Sequence, residues 1–160
     1  MQKEELNRII EQIESFCNHN WTGLDLDQIL NEINDEIANT EIPLFTNTIH
    51  QFARHLIADD FLVMKRLQGI DYELSKDEDW ISSDKLKEIK WSDTIQAIKK
   101  GKADLIGALK DISDDDLDNP ILNDQASIYV TLHGNIQHSY YHMGQISQMK
   151  KAIENLNKSS

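Results

Sequence analysis

His138 and His142 stand four residues apart in "TLHGNIQHSYYHMGQI" (Thr131–Ile146), a stretch with no helix breaker. A helix advances about 100° per residue, so both imidazoles share one face, with Cβ atoms about 5–6 Å apart. Two neutral imidazoles at that spacing can converge on one divalent ion. The plain alternative is two hydrogen-bonded polar residues inside a helical bundle. Gln145 and Gly134 fall on the same face, whereas His133 points about 140° away and is read as unrelated. Gly134 and Gly144 leave room for a neighbouring backbone or a substrate.

The setting supports a polar cavity. Ile128, Leu132, Ile146, Met149 and Ile153 form an apolar stripe, which Asn135 and Ser139 interrupt level with the two histidines. Buried polar groups need partners, since an unpaired one costs a few kcal/mol, about 1–3 in proteins. Two histidines alone bind metal weakly, so a third ligand is expected from another helix. His50, read on the solvent side of its helix, and His55, read at an edge facing a neighbour, are the candidates. Asp59 and Asp60, one turn later, lie close to an apolar stripe. They could orient a ligand imidazole, act on a metal-bound water, or reach solvent. Spacing alone leaves these alternatives open.

The elements that must position these residues are helical throughout. Leu6, Ile9, Ile10, Ile13, Phe16 and Cys17 recur at three and four residues, predicting a first amphipathic helix. After a turn at Gly23, Asp25 and Gln28 form a capping-box pattern before a short helix. A second long helix is expected from about Asn47 to Gln68, stopped by Gly69, with Ile49, Phe52, Leu56, Val63 and Leu67 inward. "DEDWISSDKLKEIKW" reads as short turns. A third helix is expected from about Asp93 to Asp111, with Ile95, Ile98, Leu105, Ile106 and Leu109 inward. Pro120 closes an acidic loop, and the last helix is expected from near Asp124 to near Leu156. Four long amphipathic helices predict an all-α four-helix bundle, one domain over residues 1–160, with a short extra helix after the first long one.

Composition narrows the function. The 28 acidic and 16 basic residues give a net charge of −12, which repels phosphate backbones. Nucleic-acid binding is therefore not expected, and "DISDDDLDN" (Asp111–Asn119) reads as a solvated run. No apolar run is long enough to span a membrane. "MQKEELNRII" lacks the apolar block of a signal peptide, and the single Cys17 fits a reducing compartment, so a cytoplasmic address is the expectation. Cys17 itself reads as a small buried hydrophobe.

Three stretches carry a resemblance to a known family. "SIYVTLHGNIQHSYYHMGQISQMKKA" (Ser127–Ala152) resembles the final helix, with its H-x-x-x-H-x-G-Q signature, of the DinB-like (DinB/YfiT-like) metalloenzyme superfamily. "TIHQFARHLIADDFLVMKRLQG" (Thr48–Gly69) is similar to the family helix in which a single histidine precedes an aliphatic residue. "NWTGLDLDQIL" (Asn20–Leu30) resembles a segment found in one branch. The resemblance implies a four-helix bundle with a divalent metal held by His55, His138 and His142, and all-nitrogen ligands suit zinc or nickel alike. It also implies frequent homodimerisation, and thiol S-transferase activity in some relatives. Three imidazoles leave a coordination position open, the layout of a catalytic site, where an ion lowers the pKa of a bound water or thiol.

The reading is a metal-dependent enzyme acting on a small molecule, thiol S-transferase-like or hydrolase-like. Asp59 and Tyr141 are its candidate catalytic groups, and Asp60, Thr131, Gly134, Asn135 and Gln145 are expected around the pocket. The alternative is a non-catalytic, metal-stabilised bundle serving as a scaffold or interaction module.

Overall fold

Each long helix starts where a side chain or a distant acid receives the free amides of its first turn. The computed structural model describes residues 4–18, 21–22, 25–43 and 45–158. The turn expected at Gly23, and Asn20 at the start of the third resembling stretch, lie outside them. Helix α1 (Glu4–Cys17) buries Leu6, Ile9, Ile13 and Phe16, four positions of the expected stripe. Its Glu5 and Leu6 amides donate to Asp114 at 3.1 and 2.9 Å. The acidic run is therefore not merely solvated, as expected from its charge. Asp114 closes α1 from more than a hundred residues away, and the backbone bond from Leu6 is the largest influence holding its carboxyl below the usual range.

Helix α2 (Leu26–Leu30) carries the capping box of Asp25 and Gln28 that the pattern predicts. Helix α3 (Asp35–Ala38), capped by Asn34, was not expected. Asp35 in its first turn accepts the Trp91 amide at 2.7 Å and so fixes where the third long helix begins. Helix α4 (Ile49–Leu67) opens on a Thr48–Gln51 capping box and ends before Gly69, whose φ of 75° only glycine adopts cheaply.

Between α4 and the next long helix, the segment read as short turns holds two four-residue helices, α5 (Lys76–Asp79) and α6 (Ser83–Leu86). Ser75 and Glu78 cap α5 reciprocally. Helix α7 (Trp91–Ala108) is shifted against the expected Asp93–Asp111: Asp35 brings its start forward, and bonds of the tighter i to i+3 kind end it early. Helix α8 (Ile128–Lys158) starts four residues later than expected. Asp124 takes a left-handed φ of 63°, and a bridge pairs Pro120 with Ser127, so the chain reverses before Ser127 accepts the Val130 amide.

α1, α4, α7 and α8 make the all-α bundle, with α4 packed chiefly against α7 and α8. The described residues contain no strand, and no described helix is long and apolar enough to cross a membrane. The core falls into two apolar clusters. One gathers Leu56, Ile98, Met143 and Ile146 with Phe16, α2 and α3. The other gathers Leu6, Ile9, Ile13, Val63, Leu105 and Leu132. Burying each such side chain stabilises the fold by about 1.5–3 kcal/mol. Between the two clusters lies a polar layer, and the functional residues sit at its edge.

Candidate metal centre

α4 delivers His55, and α8 delivers His138 and His142 from successive turns. The His138 Nε2 lies 3.1 Å from the Nε2 of His55 and 2.9 Å from that of His142. One nitrogen from each ring falls within 4.8 Å of the other two. The three rings meet edge to face, with centroids 4.4–4.9 Å apart. The described residues thus bring together the three histidines that the resemblance implies.

The far nitrogen of every ring is held by an oxygen. His55 Nδ1 faces Asp79, 2.8 Å from Oδ1 and 3.2 Å from the carbonyl. His138 Nδ1 faces Asp59 Oδ2 at 3.2 Å. His142 Nδ1 faces Gln145 Oε1 at 2.6 Å. Carboxylate, carbonyl and amide oxygens only accept, so each Nδ1 carries the proton and donates it. With Nδ1 as the donor, a neutral ring turns its Nε2 lone pair inward, and the His55 and His142 Nε2 atoms both lie against that of His138. Lone pairs opposed at 2.9–3.1 Å repel, and a cation among them reverses the sign. The donor set therefore suits a divalent ion preferring nitrogen ligands, and the oxygen partners set tautomer and ring angle as they do at metal sites. Burial first of all, then the neighbouring His138 and His55, pushes the His142 pKa down to about 4, with Gln145 opposing. The ring is neutral at pH 7, as a ligand must be.

Aromatic rings wall one side of the cluster. Trp80 stacks on His55 with centroids 4.2 Å apart, and Phe52 lies 5.3 Å from His142. The other side is open: the His138 side chain keeps 31% and Asp59 23% of their exposure, against 11% for His55. Behind Asp59, the Asn135 amide donates to Asp59 Oδ2 and Asp60 Oδ1, both at 2.9 Å. Lys102 Nζ donates to Asp60 Oδ1 and Ser139 Oγ, both at 2.7 Å. Burial alone would raise the Asp59 pKa, but the bond from His138, then the Asn135 bond and the Lys102 charge, outweigh it and hold the carboxyl below the usual range. Burial pushes the Asp60 carboxyl up, with Lys102 opposing.

The other expectations divide. His50 is not on the solvent side of α4. It is fully buried, with Nε2 2.7 Å from Thr94 Oγ1 and Nδ1 3.1 Å from Asn39 Oδ1, because α7 and the α3 end cover that face. Gln145, expected around the pocket, lies against His142 Nδ1, and Asn135 and Ser139 are buried in the polar layer. Thr131 lies away from the cluster, its hydroxyl donating to the Ser127 carbonyl in the first turn of α8. Gly134 is exposed and no neighbour approaches it, so it gives open space, not helix packing. Tyr141 is 62% exposed, its ring 5.0 Å from His142 and its hydroxyl accepting from Gln145 Nε2 at 3.3 Å. His133 packs on Tyr129, away from the trio, as its angle predicts.

Sequence reasoning missed Asp79, Trp80 and Lys102. Lys102 had a signal: it stands four residues after Ile98 and three before Leu105, a charge on an apolar row. Asp79 and Trp80 had only a tryptophan in a polar stretch, and their approach to His55 depends on how α5 folds back.

A helical bundle with three convergent, oxygen-tethered histidines defines the class: a scaffold with a candidate mononuclear metal centre between α4 and α8. A family model for the DinB superfamily matches residues 20–146. The chain belongs to the DinB superfamily, whose members typically bind metal. No curated protein and no solved structure matches the chain.

Proposed function

We propose that this protein is a divalent-metal-dependent enzyme acting on a small molecule, by thiol transfer or hydrolysis. The observation that carries the reading is the trio of Nε2 atoms 2.9 and 3.1 Å apart, each backed by an oxygen acceptor on Nδ1. His55, His138 and His142 would hold the ion, zinc and nickel both suiting imidazole donors. A divalent ion held there would supply Lewis acidity, making a thiol or a water easier to deprotonate. The chain's own residues do the rest. Asp59 orients His138, Gln145 orients His142, and Trp80 with Phe52 excludes water from one side. Substrate enters past His138, and Tyr141, exposed with its ring 5.0 Å from that of His142, serves as the proton carrier of this proposal.

One observation favours the rival reading, a metal-stabilised scaffold. Asp59 is already engaged by His138 and Asn135, and Tyr141 by Gln145. A thiol titration of the cobalt-loaded protein separates the two readings. A new thiolate-to-cobalt charge-transfer band, with turnover of an electrophilic test substrate, supports the enzyme. A cobalt spectrum indifferent to thiols and no turnover, with melting strongly lowered by chelator, favours the scaffold.

A further inference from the structure

Three helices break their apolar rows at the same level. Asp60 falls between Leu56 and Val63 on α4, Lys102 between Ile98 and Leu105 on α7, and Asn135 and Ser139 between Leu132 and Met143 on α8. All four polar residues are buried. Lys102 Nζ sits 2.7 Å from Asp60 Oδ1, 2.7 Å from Ser139 Oγ, 3.5 Å from Asn135 Oδ1 and 4.9 Å from the Phe16 ring centroid.

A charge pair in such a place is a poor stabiliser, since well-packed apolar residues of similar size do as well or better. Its geometry does something apolar residues cannot. The ammonium draws the Asn135 carbonyl oxygen toward α7, which turns the amide nitrogen toward α4. There the amide donates to Asp59 and Asp60 at once, 2.9 Å from each. Asp59 Oδ2, thus fixed, receives His138 Nδ1. Two adjacent carboxylates repel one another, and Lys102 is the buried cation that offsets this.

We propose that Lys102 is a positioning residue of the three-histidine site: through Asn135 and Asp60 it holds Asp59 aimed at His138, and so sets the site's affinity for a divalent cation. The inference rests on the metal reading above, and it concerns a residue on a helix that contributes no histidine to the cluster. Lys102 acts through two intermediaries and touches neither the ion nor the substrate. Outer partners of metal-bound imidazoles change affinity by about tenfold to a hundredfold, which sets the expected effect.

Cobalt(II) titration followed by its d–d absorption tests this in four proteins: wild type, Lys102→Met, Lys102→Met with Asp60→Asn, and Leu105→Ala. Leu105→Ala removes fully buried volume one turn along α7 and controls for general destabilisation. The double variant removes both charges and keeps the protein measurable should the single one fail to fold. The expected result is at least a tenfold loss of cobalt affinity with a shifted d–d band in the Lys102 variants. Leu105→Ala should keep wild-type affinity and band. Nitrogen-15 shifts of His138 in the metal-free Lys102 variants should show the Nδ1–H tautomer depleted. Lys102 variants with wild-type affinity, band and tautomer overturn the inference while leaving the metal site standing. A wild type that binds no cobalt overturns the site and the inference together.

Discussion

Protonating His50 should destabilise the folded protein from within. The ring is fully buried, its two nitrogens bonded to Thr94 and Asn39, with Trp91 edge-on at 5.4 Å. Burial first, and then the charge of Arg54, push its pKa from 6.5 down to about 4. Below pH 6.5 the unfolded chain takes up a proton that the folded ring refuses, so stability falls as pH falls. The loss proceeds through the window from 6.5 to about 4 and levels off below it. A shift of that size corresponds to about 3 kcal/mol in full, a large share of a typical domain's stability. The assay is urea unfolding of wild type and His50→Gln at half-unit steps from pH 7.5 to 4, in chelator. The difference between the two proteins is the quantity to read, because His142 is depressed in the same direction and stays in both. Wild type should lead at pH 7.5, with the lead shrinking by about 1.4 kcal/mol per pH unit at its steepest. A lead that stays constant across the window would refute the argument.

Other perturbations read the helices and the site separately. Gln145→Ala frees His142 Nδ1 from its 2.6 Å partner, and isothermal zinc titration should show affinity falling about tenfold or more. Trp80→Ala removes the ring stacked on His55 and should weaken zinc binding in the same assay. Thr48→Ala deletes the N-cap of α4 and should cost about 1 kcal/mol in urea unfolding with zinc stoichiometry unchanged.

The bundle was legible because its helices announce themselves twice, by period and by caps. Asp25 with Gln28 and the stop at Gly69 are local signals, and both lie where their chemistry places them. The start of α8 was not legible, since the left-handed Asp124 and the Pro120–Ser127 bridge look in sequence like one more helical turn. Half the site is local as well: His138 and His142 share a face by spacing alone. His55 and His50 can be ranked only by which neighbour covers α4, and His50 reads as solvent-facing because α3 and Thr94 are invisible to its own helix's period. The oxygen partners follow the same division. Gln145 is three residues from its histidine, whereas Asp79 reaches His55 only through the fold of α5.

The central claim is that His55, His138 and His142 together hold one divalent ion. The most direct test is elemental analysis of protein made without a histidine tag, as wild type, His138→Ala and His50→Gln. The account predicts about one zinc or nickel per chain in wild type and His50→Gln, and none in His138→Ala. Metal retained in His138→Ala, or none in any of the three even after reconstitution, would contradict it.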